Sequence, residues 1–199
     1  DLSIIDENKI NLKFKFEDLE KFYVERINIF GNFITEEKVI RNNLIIDEGD
    51  PFNKILFNKS VNNIKSTNIF KDVEAEVTDS SDNQNYKIIN INVEEKPTGE
   101  IFAGAGTGTS GSSIVAGIKE NNYLGKGIKL DTNLYLSETE IKGKFNVTNP
   151  NYKNSDKSIN FNVESTSSDF METSGYEVNR TGFSVGTGFE QYEDIFFNF

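Results

Sequence analysis

Apolar and polar residues change rhythm once along this chain, at Lys96-Pro97-Thr98-Gly99. Before that point helical and strand-like spacings take turns. After it, nearly every apolar stretch keeps a period of two. Residues 2–5 and 9–16 read as two short strands, the second with Ile10, Leu12, Phe14 and Phe16 on one face and Asn11, Lys13 and Lys15 on the other. A further strand spans 22–30, and Gly31-Asn32 marks a turn or bulge. Thr35-Glu36-Glu37 predicts a helix start: a hydroxyl cap followed by carboxylates where the helix dipole favours negative charge. Val39, Ile40 and Leu44 follow at helical spacing, and Glu48-Gly49-Asp50-Pro51 breaks the chain. Asn53 is placed to cap a second helix carrying Phe57, Val61 and Ile64 at i, i+4 and i+7. Strands over 69–77 and 86–93 complete the half, separated by a polar turn over 79–85. The last of them puts Ile89, Ile91 and Val93 on one face. The order β-α-α-β-β predicts an α+β domain with two helices on one face of a three-stranded sheet. Its aromatics Phe22, Phe30, Phe52, Phe57 and Phe70 are read as core residues.

The second half alternates almost throughout. Ile101 to Thr107 is glycine-rich, with Gly104, Gly106 and Gly108. Ser110, Ser112 and Ser113 follow and are read as turn or inward-facing residues, then come Ile114, Ala116 and Ile118. Ile128, Leu130, Thr132, Leu134 and Leu136 alternate with Lys129, Asp131, Asn133 and Tyr135. Ile141, Gly143, Phe145 and Val147 face away from Lys142, Lys144 and Asn146. Ile159, Phe161 and Val163 repeat the pattern, as do Phe183, Val185 and Thr187, and residues 195–199 begin one more strand. Successive two-faced strands fit an antiparallel transmembrane β-barrel, whose outer face must be apolar because lipid satisfies no polar group. They fit a soluble sandwich as well, so the alternation by itself leaves both open.

Composition narrows the chemistry. The 199 residues include neither Cys nor His, which removes disulfides, thiolate metal sites and the commonest general base. No Asp/Glu spacing resembles an EF-hand, and the glycine runs lack the Lys-Ser/Thr of a phosphate loop, so neither metal nor nucleotide cofactor is expected. The net charge of −11 is shared by both halves and no basic patch stands out, which argues against nucleic acid. No run of about 18 apolar residues could form a transmembrane helix. The chain opens without Met and without a signal-peptide pattern, and is read as a piece of a longer protein. Of its fifteen glycines, Gly31 and Gly49 precede Pro97 and all others follow it.

Four segments of the first half, in order, carry a resemblance to the POTRA domain. They are Val24-Glu25-Arg26-Ile27-Asn28-Ile29-Phe30-Gly31-Asn32, Glu48-Gly49-Asp50-Pro51-Phe52, Ile69-Phe70-Lys71-Asp72-Val73 and Val93-Glu94-Glu95-Lys96. In the second half, Pro97-Thr98-Gly99 leads into 102–108, followed by Asn121-Asn122-Tyr123-Leu124-Gly125-Lys126-Gly127 and Val147-Thr148-Asn149-Pro150. These resemble the start of the barrel of the BamA family of outer-membrane assembly factors. The resemblance implies three parts: residues 1–20 as the end of a preceding POTRA domain, 21–96 as a POTRA domain, and 97–199 as the first six or seven strands of the barrel.

That resemblance also implies a function without an active site. The chain would help to fold and insert β-barrel proteins into the bacterial outer membrane, with its POTRA part in the periplasm. The first barrel strand would act as a lateral gate, here Gly99, Ile101, Phe102, Ala103, Gly104, Ala105, Gly106 and Thr107. Its glycines either weaken the strand or relieve crowding in a curved sheet. The POTRA edge strand, with Phe70, Asp72, Val73, Ala75 and Val77, would accept a strand from a partner. Implied partners are unfolded outer-membrane clients, periplasmic assembly lipoproteins and outer-membrane lipid. A related translocation or secretion pore, of the TamA or two-partner type, is the alternative. A barrel hydrolase lacks its Ser–His pair in this sequence. The family's inward Val-Arg-Gly-Phe loop motif does not occur in this sequence, and a sixteen-strand barrel is more than these residues can build. Ile195, Phe197 and Phe199 also resemble the aromatic ending of a closing barrel strand, a reading opposed to that of a longer protein.

Overall fold

Isoleucine and valine at the expected strand and helix positions build one core. Val24, Ile27, Ile89, Ile91 and Val93 from a sheet meet Val39, Ile40 and Ile64 from the helices above it, all of them buried. The computed structural model describes residues 2–6, 9–12, 21–108, 111–192 and 195–199. Strands β1 (Leu2–Asp6) and β2 (Lys9–Leu12) form a separate antiparallel hairpin. The remainder of the strand expected over 9–16 lies outside the described residues.

The α/β domain follows as β3 (Tyr23–Phe30), α1 (Glu37–Arg41), α2 (Lys54–Ser66), β4 (Phe70–Asp79) and β5 (Tyr86–Glu95). Its sheet order is β3-β5-β4, with β3 parallel and β4 antiparallel to the central strand. Asn53 caps α2 as expected, its Oδ1 accepting from the amides of Ile55 at 2.8 Å and Leu56 at 3.3 Å. Ser60, buried in the middle of α2, donates to the Leu56 carbonyl and accepts from the Ile45 amide, which ties the interhelix loop to the helix.

Two expectations fail here. Thr35 does not cap α1: Glu36 occupies the cap position without a side-chain bond, and α1 is only five residues long. The Thr35 hydroxyl is engaged elsewhere, in a contact far away in sequence. Phe30 is not a core residue either. It is 54% exposed, because in the register of β3 it projects from the side of the sheet opposite the helices.

The second half is one antiparallel sheet in simple meander order. It comprises β6 (Gly99–Gly108), β7 (Gly111–Tyr123), β8 (Ile128–Ser137), β9 (Glu140–Asn149), β10 (Lys157–Phe170), β11 (Tyr176–Tyr192) and β12 (Ile195–Asn198). A short helix, α3 (Met171–Ser174), joins β10 to β11 away from the α/β domain. Register aligns the alternation across neighbouring strands. Ile101 pairs with Ile118, Ala116 with Leu134, Leu136 with Ile141, Val147 with Phe161, and Val163 with Phe183. One face is therefore continuously apolar, while Lys129, Asp131, Lys142, Lys144, Asn146 and Glu164 share the other.

Among the described residues, every hydrophobic side chain of the buried core lies between Val24 and Val93. The apolar face of the large sheet is open: Ile101 is 81% exposed, Phe183 78%, and Ile114, Ile118, Leu134, Ile141, Phe145 and Val185 are also exposed. Removing a large apolar side chain from water is worth about 1.5–3 kcal/mol. Leaving such a row in water would forfeit on the order of 10 kcal/mol, comparable with a typical domain's whole stability of about 5–15 kcal/mol. This face requires an apolar surrounding.

Candidate functional site: the open edges and the domain junction

The three-stranded sheet has two edges, and the chain closes one of them. On β3, the Val24 amide donates to the Asp50 carbonyl at 2.8 Å and the Gly49 amide donates to the Val24 carbonyl at 2.7 Å. The Phe52 amide bonds the Phe22 carbonyl, and the Ile27 amide donates to the Glu48 carboxylate at 3.0 Å. Arg41 completes the cover by donating to the Ile27 carbonyl. The segment Glu48-Gly49-Asp50-Pro51-Phe52 is thus a plug for β3. No such cover lies along β4 among the described residues, so β4 is the edge left with unpaired main-chain groups. Of the residues expected there, Phe70 and Val73 are buried, and Ala75 and Val77 pack against the core. Only Asp72 points outward, so recognition at this edge would run through the backbone rather than through the apolar side chains.

All the expected seam residues, Gly99 and Ile101 to Thr107, lie on β6. This strand pairs with β7 alone, and its other edge is free among the described residues. Crowding among the described residues does not explain Gly104, Gly106 or Gly108. A Cβ built on Gly104 would meet nothing closer than a Val115 methyl at 3.4 Å, on Gly106 nothing closer than Ser113 Oγ at 3.9 Å, and on Gly108 nothing within 4 Å. Crowding instead marks Gly117, the partner of Phe102 on the neighbouring strand β7, where the Phe102 ring lies over the backbone in the space a Cβ would take. Phe102 thereby fills the notch that Gly117 leaves.

The structure reveals a third feature that the chain's local patterns did not announce. The β7–β8 turn is inserted into the α/β domain. Gly125 takes a left-handed conformation at φ +72°, and its backbone lies so close to the Ile34 carbonyl that a Cβ would come within 2.1 Å. The Gly125 carbonyl accepts from the Glu36 amide at 2.8 Å. Asn122 is buried behind the turn. Its Nδ2 donates to Thr35 Oγ1 at 2.8 Å, and its Oδ1 accepts from the Gly127 amide at 2.8 Å.

On the other side of Thr35, the Glu95 carboxylate accepts from the amides of Phe33, Ile34 and Thr35, the last at 2.7 Å. Burial pushes the Glu95 carboxyl up. The Thr35 side chain and the three amides outweigh that and hold it below the usual carboxylate range. A chain of contacts therefore runs from Glu95 at the end of β5, through Thr35, to Asn122 and Gly127 in the large sheet. The signal available in sequence was the run Asn121–Gly127 itself, with its paired Asn and alternating Gly.

Comparisons with known proteins agree with this geometry. A POTRA profile, described as a surface antigen variable number repeat, matches residues 22–96, and an Omp85 superfamily domain matches residues 122–198. The outer membrane protein assembly factor BamA of Buchnera aphidicola subsp. Acyrthosiphon pisum is 28% identical over 202 residues, covering 98% of this chain and 33% of that protein. BamA of Nitratidesulfovibrio vulgaris is 27% identical over 157 residues, covering 77% of this chain and 20% of its own length. The crystal structure of Haemophilus ducreyi BamA lacking POTRA domains 1–3 superimposes with a TM-score of 0.76 at 22% identity, over 100% of this chain and 38% of that one. CdiB from Acinetobacter baumannii gives a TM-score of 0.53 at 13% identity, over 85% and 33%. The chain thus spans between about a fifth and two fifths of these relatives. A POTRA domain running directly into a meander of barrel strands, with a POTRA profile on one half and an Omp85 superfamily profile on the other, is the architecture of this chain, which is similar to BamA over nearly its whole length.

Proposed function

We propose that this chain supplies the membrane-proximal POTRA domain and the gate-side strands of a factor that folds and inserts β-barrel proteins into the bacterial outer membrane. The large sheet lies in the outer membrane with its apolar face to lipid, and the POTRA domain lies in the periplasm. No bond is made or broken; the work is strand pairing. The observation that carries the reading is β6, an edge strand among the described residues whose Gly104, Gly106 and Gly108 are not crowded by any described neighbour. Such a strand packs weakly and bends readily, and its free edge can template a client strand through main-chain hydrogen bonds. The uncovered β4 edge offers a second templating edge in the periplasm, to unfolded clients or to accessory lipoproteins.

The test is insertion of a client barrel into liposomes by the full-length protein carrying Gly104→Val and Gly106→Val. Both positions admit a Cβ without a clash, so the fold should persist while the seam stiffens. Insertion should slow several-fold, and an unchanged rate would refute the gate. The likeness to CdiB supports a second reading, a pore that passes a polypeptide across the membrane. In that case the same variants would leave barrel insertion untouched and alter export instead.

A further inference from the structure

Between the POTRA helices and the membrane-proximal turns lies a cleft of about 400 Å³. The chain carries net charge −11, yet no Asp or Glu lines this cleft, whereas Lys38, Lys126, Lys129 and Lys153 do. Lys38 is held by Glu36, which also faces Lys126. Lys126, Lys129 and Lys153 form no ion pair among the described residues. Amide side chains such as Asn121 and Asn154 add neutral donors to the wall. The end of α2 also borders the cleft. There the Thr67 hydroxyl donates to the Ile64 carbonyl at 2.7 Å and so satisfies one of the last carbonyls of the helix. Lys153 and Asn154 both sit in the left-handed region, at φ 54° and 56°, a costly conformation for a lysine.

The position of the cleft says which anion it meets. The apolar outer face runs down β8, β9 and β10 as far as Leu130, Val147 and Ile159, next to these same turns. Tyr123 and Tyr152, both partly exposed, flank it on the β7–β8 and β9–β10 connections, where aromatic residues mark a membrane interface. Lysines at that level stand among lipid head groups. We propose that the cleft binds the phosphate-bearing head group of an anionic phospholipid of the periplasmic leaflet, and so fixes the POTRA domain against the membrane surface. The inference rests on the sheet being in lipid but not on client insertion.

Native mass spectrometry of the delipidated full-length protein in detergent tests it, with phosphatidylglycerol, phosphatidylcholine, inorganic phosphate and polyglutamate as probes. Phosphatidylglycerol should be retained over phosphatidylcholine. The triple variant K126Q/K129Q/K153Q should lose on the order of tenfold in that retention while keeping the gel-mobility shift of a folded barrel. Should the triple variant fail to fold, the single variants Lys129→Gln and Lys153→Gln should each lose roughly two- to fivefold. Retention unchanged by these substitutions overturns the proposal, as does equal retention of the two lipids by the unaltered protein. Complete displacement by inorganic phosphate or by polyglutamate overturns the lipid assignment in favour of a free anion or an acidic polypeptide. All readouts are independent of insertion activity, so failure here and failure of the gate are separable.

Discussion

Replacing Asn122 by Ala should loosen the POTRA domain from the barrel without unfolding either. Asn122 makes two bonds at the junction, one across it to Thr35 Oγ1 and one within the β7–β8 turn from the Gly127 amide, each 2.8 Å long. The Gly127 amide and Thr35 are both buried. Loss of the first bond costs about 1 kcal/mol, since Thr35 retains Glu95 as a partner; an orphaned buried amide costs a further ~1–3 kcal/mol. The sum is about 2–4 kcal/mol against the docked arrangement. At about 1.4 kcal/mol per tenfold, hydrogen-exchange protection of the Gly127 and Glu36 amides should fall by roughly 30- to 700-fold. The Glu36 amide reports because it donates to the Gly125 carbonyl in the same junction. Amides of the POTRA core, such as those of Ile89 and Ile91, should keep their protection. A double-mutant cycle with Thr35→Val isolates the direct bond and should give a coupling of about 1 kcal/mol. Protection of Gly127 and Glu36 unchanged in Asn122→Ala, or zero coupling in the cycle, would refute the reasoning.

Two further outcomes follow from the same junction. Gly125→Ala should destabilise it well beyond Gly49→Ala, again read by exchange at Glu36: both positions have positive φ, at about 1–2 kcal/mol for an L-residue, but only Gly125 is pressed against a carbonyl. The Glu95 carboxyl is held low, so its contribution is complete above the ordinary carboxylate value and disappears as pH falls through the lowered one. The stability difference between the natural protein and Glu95→Ala, from urea titrations, should therefore be constant near neutral pH and close in the acid range below about 4.3. A gap that widened on acidification would contradict the assignment.

Much of the fold is legible in the residues because local forces set it. Asn53 caps α2 because a short polar side chain reaches the first free amides wherever it precedes an apolar helical stripe. The period-two runs from Ile114 to Leu136 and from Ile141 to Val163 form the strands they imply, since only that spacing keeps one face apolar. Legibility fades where the alternation does. β10 continues to Phe170 and β11 starts at Tyr176, through Ser165, Ser167, Asn179 and Thr181, whose polar side chains carry no facial signal. Phe30 and Thr35 were misread because both have ordinary local roles available, core aromatic and helix cap. Register turned one outward, and a partner 87 residues away claimed the other.

Sequence by itself determined the two textures and the faces of the strands, consequences of periodicity and of turn residues that act over a few positions, and it carried the segments on which the family resemblance rests. Only the tertiary structure decided which sheet edge stays open among the described residues, why Glu48-Gly49-Asp50-Pro51-Phe52 and the run Asn121–Gly127 have the residues they do, and where Lys38, Lys126, Lys129 and Lys153 gather. Those are contacts between segments far apart in the chain. A hydrogen bond or a 2 Å approach across such a distance leaves no periodic trace, because its geometry is fixed by how two finished elements pack and not by what precedes or follows either residue.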